Sequence, residues 1–331
     1  MFTYQQVTNK WGCKMKGEHD KQRSFEDVWL ERKVSDDDFL MRIERKIDWS
    51  VFENPLSGIY AKQGRPSQPP LILFKMLLLQ QWFGLSDPGV EAACKDRLSF
   101  HRFLGYGLED TIPDETTLVR FRARLREHKG LYKRLFKLLE HQLEAEQVVV
   151  KRGTLIDASI LPSARKPPGK RASTDTSDQE ARWTTKNDTS THGYKVHVGV
   201  DHGSDVVRGV TVTPANVHDS RVGDELIQGD EQAAYADKAY DSESRRKQLA
   251  EAGIFNGILR RARRNKPLNQ LEREFNWIAS KIRAPVERIF ADWKQHRNLR
   301  RVRYLGLERN QNHLYMMALA HNMRCLLRAT G

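Results

Sequence analysis

The chain has 331 residues, of which 39% are hydrophobic, and this is enough for two ordinary domains. Its net charge of +13 lies entirely after residue 237, because residues 1–237 hold 35 basic and 35 acidic side chains and residues 238–331 hold 21 and 8. The cysteines are far apart, residues 1–20 contain no apolar segment and the apolar run 71–79 is short, which argues against a zinc site, a secretory signal and a membrane span. We therefore expect a cytoplasmic protein without a membrane partner.

Helical patterns dominate the chain as far as residue 147. Residues 1–62 are predicted to form a polar arm and one helix. Residues 35–38 have the composition of a helix N-cap, so the helix is expected to begin after them. Residues 63–147 are predicted to form a helical domain that begins after a Pro-rich turn and contains a mostly buried helix at 71–83.

An arginine-rich helix is predicted after Pro113. Together with the preceding helix and a connection containing Gly105 and Gly107, it fits a helix-turn-helix that binds DNA, with Arg120 and Arg124 as candidate contacts. The alternative is a plain helical bundle with solvated arginines.

Residues 148–331 change to an α/β pattern. Three predicted strands are followed by alternating helices and strands, and the last helices lie after Pro267. Strict alternation of apolar and polar residues at 192–201 indicates a half-buried strand that pairs with 206–212. The polar stretch 162–190 is predicted to be a flexible loop.

Three acidic residues stand out in this part. Asp157 and Asp237 each follow a short apolar strand, and such positions lie at the edge of an α/β sheet where active sites collect. Glu287 lies between Arg283 and Lys294 at a spacing that predicts one shared helix face. Carboxylates suit a pair of Mg²⁺ ions that act in phosphoryl transfer, and the cations suit a nucleic-acid phosphate.

The order Asp, Asp and Arg-x3-Glu-x6-Lys resembles the DDE transposases of bacterial insertion sequences, and within them the family numbered five. The resemblance runs from about residue 62 to about residue 328. Beyond the acidic residues it is carried by five blocks, Gly64-Arg65-Pro66-Ser67, Leu85-Ser86-Asp87-Pro88, Pro113-Asp114-Glu115-Thr116-Thr117, His192-Gly193-Tyr194-Lys195 and Ala215-Asn216-Val217-His218-Asp219. It implies an RNase H-like catalytic domain with a mixed sheet at 148–331, preceded by an all-α DNA-binding region.

The resemblance also implies roles for individual residues. Asp157, Asp237 and Glu287 are expected to be the catalytic metal ligands for Mg²⁺, with Mn²⁺ as a substitute, while Arg283 and Lys294 contact DNA. The expected partner is double-stranded DNA, at the ends of the element and at its target, held by a dimer or larger assembly. The alternatives are a non-catalytic, domesticated DNA-binding protein and a related metal-dependent nuclease that cuts without joining.

The basic residues after Asp237 supply further candidate DNA contacts, since a basic surface beside the acidic residues suits a polyanion. A solvated basic face is the alternative. The candidates are Arg260, Arg261, Arg263, Arg264, Arg297 and Arg301.

Some residues leave alternatives open. The family pattern has Tyr where this chain has Ser280, and Pro285 is expected either to kink a continuous helix or to begin a new one. His218 and Asp219 read either as a catalytic pair or as a packing residue and a helix cap. Lys195 is a weaker candidate for a phosphate contact.

Overall fold

The computed structural model of the chain describes residues 29–30, 32–60, 68–165, 167, 178–186, 188–262 and 267–330. In these residues, helices occupy the chain up to residue 145, and the strands follow. None of the described helices combines the length and the apolar character that crossing a membrane requires.

The N-terminal part is all helical, as predicted. Side-chain caps explain several helix starts, since Asp38, Ser86 and Asp114 each accept a hydrogen bond from a backbone N–H of the first turn. The helices are α1 (Phe39–Lys46), α2 (Ser50–Ser57), α3 (Pro70–Phe83), α4 (Asp87–Asp96), α5 (Leu98–Leu104), α6 (Glu115–Glu127) and α7 (Leu131–Ala145).

The connection between α5 and α6 differs from the predicted helix-turn-helix. Gly105 ends α5 with a φ of +74°, which a residue with a side chain rarely adopts, and α6 begins only at Glu115. A connection of ten residues is longer than the three- to four-residue turn of that motif. The prediction that these two helices form a helix-turn-helix is therefore wrong, although α6 remains rich in arginine.

A mixed sheet follows, built around its central strand. β1 is antiparallel to β3 and parallel to β5, β3 also pairs with β2 and β4, and β6 pairs in parallel with β5. The order β4-β3-β1-β5-β6, with three antiparallel strands and then two parallel ones, is the RNase H-like arrangement that was predicted. The strands are β1 (Thr154–Pro162), β2 (Arg182–Lys186), β3 (Thr189–Asp201), β4 (Val207–Pro214), β5 (Ala233–Ala236) and β6 (Phe255–Asn256).

Short helices connect these strands and longer ones end the chain. Residues 219–229 contain a 3-10 turn (Asp219–Arg221) and α8 (Gly223–Leu226), and residues 254–259 contain the short strand β6. The remaining elements are a second 3-10 turn (Lys238–Tyr240), α9 (Glu243–Glu251), α10 (Gln270–Arg283), α11 (Pro285–His296) and α12 (Leu307–Thr330).

The long C-terminal helix α12 joins the two parts of the molecule. It packs against the sheet and against α1, α3 and α7, and one continuous apolar core runs from Val34 to Leu327. Trp82 of α3 donates to the Ala320 carbonyl at 2.7 Å, and the Asn322 side chain exchanges two 2.8 Å hydrogen bonds with the backbone of Val207 in the sheet. The helical region and the sheet therefore share α12 as a support.

The two faces of the sheet pack differently. Side chains alternate along a strand, so Leu155 and Asp157 lie on one face, together with the residues that pack on α11 and α12. We call this the acid face. Ile156 lies on the opposite face and packs with Leu226 and Tyr240 in a smaller cluster.

The predicted flexible loop at 162–190 is more ordered than expected in its described residues. β2 pairs with β3, and the buried Asp178 accepts hydrogen bonds from the Tyr194 hydroxyl at 2.6 Å and the Ser163 hydroxyl at 3.2 Å. The Gly306 N–H also donates a hydrogen bond to Asp178 Oδ1 at 3.2 Å. This carboxylate ties the segment after β1 to the start of α12, which the polar composition of the segment did not reveal.

Candidate active site

Asp157 and Asp237 lie side by side on neighbouring parallel strands. The pairing of β1 with β5 ends at Ile156 opposite Ala236, so Asp157 and Asp237 are the residues that directly follow the last paired position on each chain. The prediction that Asp157 follows the end of its strand is wrong, because β1 continues to Pro162 along β3. Beyond Ile156, however, β1 has no pairing with β5.

Asp237 begins the 3-10 turn that follows β5. Its Oδ1 accepts a hydrogen bond from the Lys238 N–H at 2.7 Å, which fixes the carboxylate at the strand end. Burial and then the negative charges of Asp219, Asp157 and Asp237 raise the pKa of the Tyr240 hydroxyl.

Glu287 reaches this edge from α11. Pro285 begins a new helix there, so Arg283 ends α10 while Glu287 and Lys294 belong to α11, and the three do not lie on one continuous helix. The four-residue spacing still brings Arg283 and Glu287 together, since Nη2 donates to Oε1 of Glu287 at 3.1 Å.

Arg283 also pairs with Asp157. Its Nη1 lies 3.0 Å from Asp157 Oδ2, so one guanidinium links the acidic residue of β1 to that of α11. The side chain of Arg283 is 14% exposed and that of Asp157 is 21% exposed, whereas that of Glu287 is 62% exposed. The predicted DNA contact Arg283 is thus engaged with the acidic residues in this structure.

The pKa values follow from burial and neighbouring charges. Burial raises the pKa of Asp157, the Arg283 guanidinium opposes this and the Glu287 carboxylate adds to it. Burial and then the positive charge of Lys186 lower the pKa of Lys294, while the negative charge of Asp157 opposes the shift. Lys294 lies on α11, the helix that also carries Glu287.

The donor chemistry of these acidic residues fits a divalent cation. Hard carboxylate oxygens are what Mg²⁺ and Mn²⁺ prefer, and Asp157 and Asp237 present theirs at adjacent strand positions. In the described ranges, no three acidic, histidine or cysteine side chains lie close enough to share one ion. Since Arg283 pairs with two of the three acidic residues, a shared site with Glu287 requires this arginine to move.

On the opposite face, a buried polar network supports the site. Lys195 donates to Asp219 and to the Val217 carbonyl, both at 2.8 Å, which joins β3 to the segment after β4. Lys195 is therefore engaged internally, in contrast to the predicted phosphate contact.

His197 belongs to the same network. Its Nδ1 lies 2.9 Å from the Tyr240 hydroxyl and its Nε2 lies 3.1 Å from the Thr213 hydroxyl, and burial lowers its pKa to about 4. His218 does not pair with Asp219, because its side chain accepts from the Ser220 N–H at the start of the 3-10 turn. The reading of His218 and Asp219 as a catalytic pair is not supported by these contacts.

Sequence reasoning did not identify the supporting roles of Tyr240, Thr213 and Gly193. A Cβ on Gly193 would lie 2.1 Å from the Leu161 carbonyl, so only glycine allows β3 to approach β1 at this point. The alternating pattern at 192–201 places His197 and Lys195 on the same face of the strand. It could not show their hydrogen-bond partners, because those lie on distant segments of the chain.

The predicted basic contacts occupy different environments. Arg120, Arg261 and Arg301 are exposed, Arg124 lies over the Tyr60 ring at 4.7 Å, and Arg260 lies over the Phe275 ring at 4.8 Å. Arg263 and Arg264 lie outside the described residues.

Arg297 is a correction to the predicted DNA contacts. Its side chain is 1% exposed, and Nε donates to Asp292 Oδ2 at 2.8 Å. A guanidinium that is buried and paired in this way has no free surface for a phosphate.

Comparison with known proteins gives two family matches. Residues 150–323 match the model described as "Transposase DDE domain", and residues 28–124 match a second model, "Transposase domain (DUF772)". Among solved structures, the chain is similar to the "Crystal structure of the Mos1 Strand Transfer Complex", with 11% identity over 82% of this chain and 81% of that one, and a TM-score of 0.20. That superposition is too loose to relate individual residues. The first family model covers more than half of the 331 residues, so this chain belongs to the transposase DDE domain family.

Proposed function

We propose that the protein is an insertion-sequence transposase of the family numbered five, which cuts DNA at the ends of its element and joins the released 3′-hydroxyl to target DNA. One observation carries this proposal. Asp157 and Asp237 occupy equivalent positions at the open edge of neighbouring strands, and Arg283 connects Asp157 to Glu287. Family membership makes these acidic residues the candidates for catalysis.

The three acidic residues would hold Mg²⁺ or Mn²⁺ through their carboxylate oxygens. When bound, a pair of such ions activates a water or a hydroxyl and stabilises the leaving oxygen of an in-line displacement at phosphorus. The protein supplies the rigid strand positions of Asp157 and Asp237, and Tyr240 and His197 support this edge from the opposite face.

Arg283 and Lys294 are the proposed contacts to the DNA end, since Arg283 pairs with Asp157 and Lys294 belongs to the helix that carries Glu287. The exposed Arg261 and Arg301, with the half-buried Arg260, are proposed as further DNA contacts, in keeping with the excess of 13 positive charges after residue 237. We propose double-stranded DNA as the partner, held by a dimer or a larger assembly because both element ends must be joined.

The proposal is tested by incubating the protein with Mg²⁺, a labelled duplex of the element end and a supercoiled plasmid. A labelled plasmid is the expected product, and nicked duplex without joining would instead favour a nuclease. A protein that binds the duplex but leaves it intact would favour a non-catalytic DNA-binding protein. A Glu287→Gln protein should give no labelled plasmid in this assay. Glu251→Gln is its matched control, because Glu251 is an exposed acidic residue at the end of α9.

A further inference from the structure

Arg283 is shared between two acidic residues that belong to different elements. Its contacts of 3.0 Å to Asp157 and 3.1 Å to Glu287 place a single positive charge between the carboxylate of β1 and that of α11. A cation at this position stabilises both carboxylates and offsets their mutual repulsion. It also competes with any other cation that needs the same oxygens.

The contacts of Arg283 leave part of its hydrogen-bonding capacity unused. Its Nε is buried and has no hydrogen-bond partner among the described residues. A buried donor without a partner is unfavourable, so the guanidinium gains when a new acceptor reaches it. A phosphate group presents several such acceptor oxygens and pairs well with the arginine fork.

The position of Arg283 in the chain allows such an exchange. It is the last residue of α10, Ala284 joins it to α11, and Glu287 is in the first turn of α11. A rotation of the Arg283 side chain releases both acidic residues without disturbing a helix interior. The 62% exposure of Glu287 shows that solvent and ligands can reach it.

We propose that Arg283 is a positioning residue that holds Asp157 and Glu287 together in the DNA-free protein, competes with a divalent cation for them, and releases them when a DNA phosphate binds the guanidinium. This inference rests on the proposed function. It makes DNA binding and metal binding mutually favourable, because each ligand removes the same competing contact and such coupling acts equally in both directions.

The experiment measures Mn²⁺ binding by titration calorimetry, with and without a duplex of the element end. Without DNA, Arg283→Gln is expected to bind Mn²⁺ about tenfold more tightly than wild type, within the usual range of coupling between sites. Arg288→Gln is the matched control, because Arg288 is exposed directly after Glu287, and it should bind Mn²⁺ as wild type does.

The duplex provides the second half of the test. Wild type should bind Mn²⁺ about tenfold more tightly when the duplex is present, and Arg283→Gln should gain clearly less. Arg283→Lys keeps the charge but has no fork for two carboxylates, so its DNA-free Mn²⁺ affinity should lie between those of wild type and Arg283→Gln.

The results that overturn the inference are distinct. They are an Arg283→Gln protein with wild-type or weaker Mn²⁺ affinity, or a wild-type affinity that the duplex does not change. The second measurement needs no variant, so it decides the question even where a substitution prevents folding. An Asp157→Ala protein that binds Mn²⁺ as wild type does would instead contradict the proposed metal site itself.

Discussion

The two faces of the catalytic sheet hold their charged groups in opposite ways. On the acid face, Asp157 relies on one arginine from the end of a helix, and Glu287 is largely exposed. On the opposite face, Lys195 and His197 have internal partners at 2.8 to 3.1 Å. The first arrangement allows partners to be exchanged, whereas the second fixes the sheet that carries the acidic residues.

This difference separates residues that act on a ligand from residues that support them. Removal of a group from the acid face should change the chemistry and leave folding largely intact. Removal of a group from the opposite face should change stability first, because a buried polar group is left without its partner.

The largest effect is expected on the acid face. Asp157→Ala, Asp237→Ala and Glu287→Ala should each reduce cleavage of the end duplex below detection, because a site for two ions cannot form with a ligand missing. Cleavage is followed on a labelled duplex in Mg²⁺, and duplex binding is measured in parallel.

The Glu251→Ala protein provides the control for these variants, since it removes an exposed acidic residue from α9. It should cleave as wild type does. If any of the three acid variants cleaves as wild type does, the acidic residue changed in that variant is not a ligand of the metal site.

On the opposite face, His197 should make stability depend on pH. Its pKa in the folded protein is lowered to about 4 from an ordinary 6.5, so between these values the unfolded chain binds more protons and stability falls as pH is lowered. This histidine should contribute a loss of about 2 kcal/mol between pH 7.5 and pH 5, at about 1.4 kcal/mol for each pKa unit. Urea denaturation at both pH values measures it.

In the His197→Gln protein the loss between the two pH values should be smaller. It should not vanish, because burial also lowers the pKa of His313 to about 3 and that of His321 to about 4. His128→Gln, at an exposed position, should keep the wild-type loss. A His197→Gln protein with an unchanged pH dependence would show that this histidine is not held neutral in the fold.

Arg261 and Arg297 make a pair with opposite expected effects. Arg261→Gln should make the plot of log K against log salt shallower by about 0.9 if it removes one phosphate contact, with little change in stability. Arg297→Gln should leave the slope unchanged and lower stability by about 3 kcal/mol, because Asp292 loses its buried partner. An unchanged slope for Arg261→Gln together with a shallower slope for Arg297→Gln would contradict the assignment of Arg261, rather than Arg297, as a DNA contact.

The smallest effect is expected at Ser280, where the family pattern has Tyr. Its side chain is exposed on α10, and a short hydroxyl side chain cannot stack on a base. Ser280→Ala should reduce cleavage less than about tenfold, which corresponds to less than about 1.4 kcal/mol. Arg283→Ala should reduce it far more, and equal defects in the two proteins would show that the Ser280 hydroxyl acts in the reaction.

The sequence predicted much of the sheet and the position of its acidic residues. The alternation at 192–201 and its pairing with the next strand are confirmed in β3 and β4, because period-two patterning depends only on local spacing. The short apolar strands predicted before Asp157 and Asp237 are present in β1 and β5, and the structure adds that these two strands pair in parallel.

The ion pairs could not be predicted, because they depend on which side chains the fold brings together. Arg297 looks like the other arginines of a basic run, and only the structure shows that it is buried and paired with Asp292. The ion pair of Arg283 with Asp157 joins residues 126 positions apart in the chain. β2 was missed because its residues are mostly polar and pair only with one end of β3.

The most direct test of the three-acid centre is a change of metal preference in an Asp157→Cys protein. Mn²⁺ accepts a thiolate ligand more readily than Mg²⁺ does, so the variant should fail to cleave the end duplex in Mg²⁺ and recover cleavage in Mn²⁺. Wild type should cleave in both. An Asp157→Cys protein that cleaves like wild type in Mg²⁺, or that Mn²⁺ does not rescue, would contradict the assignment of Asp157 as a metal ligand.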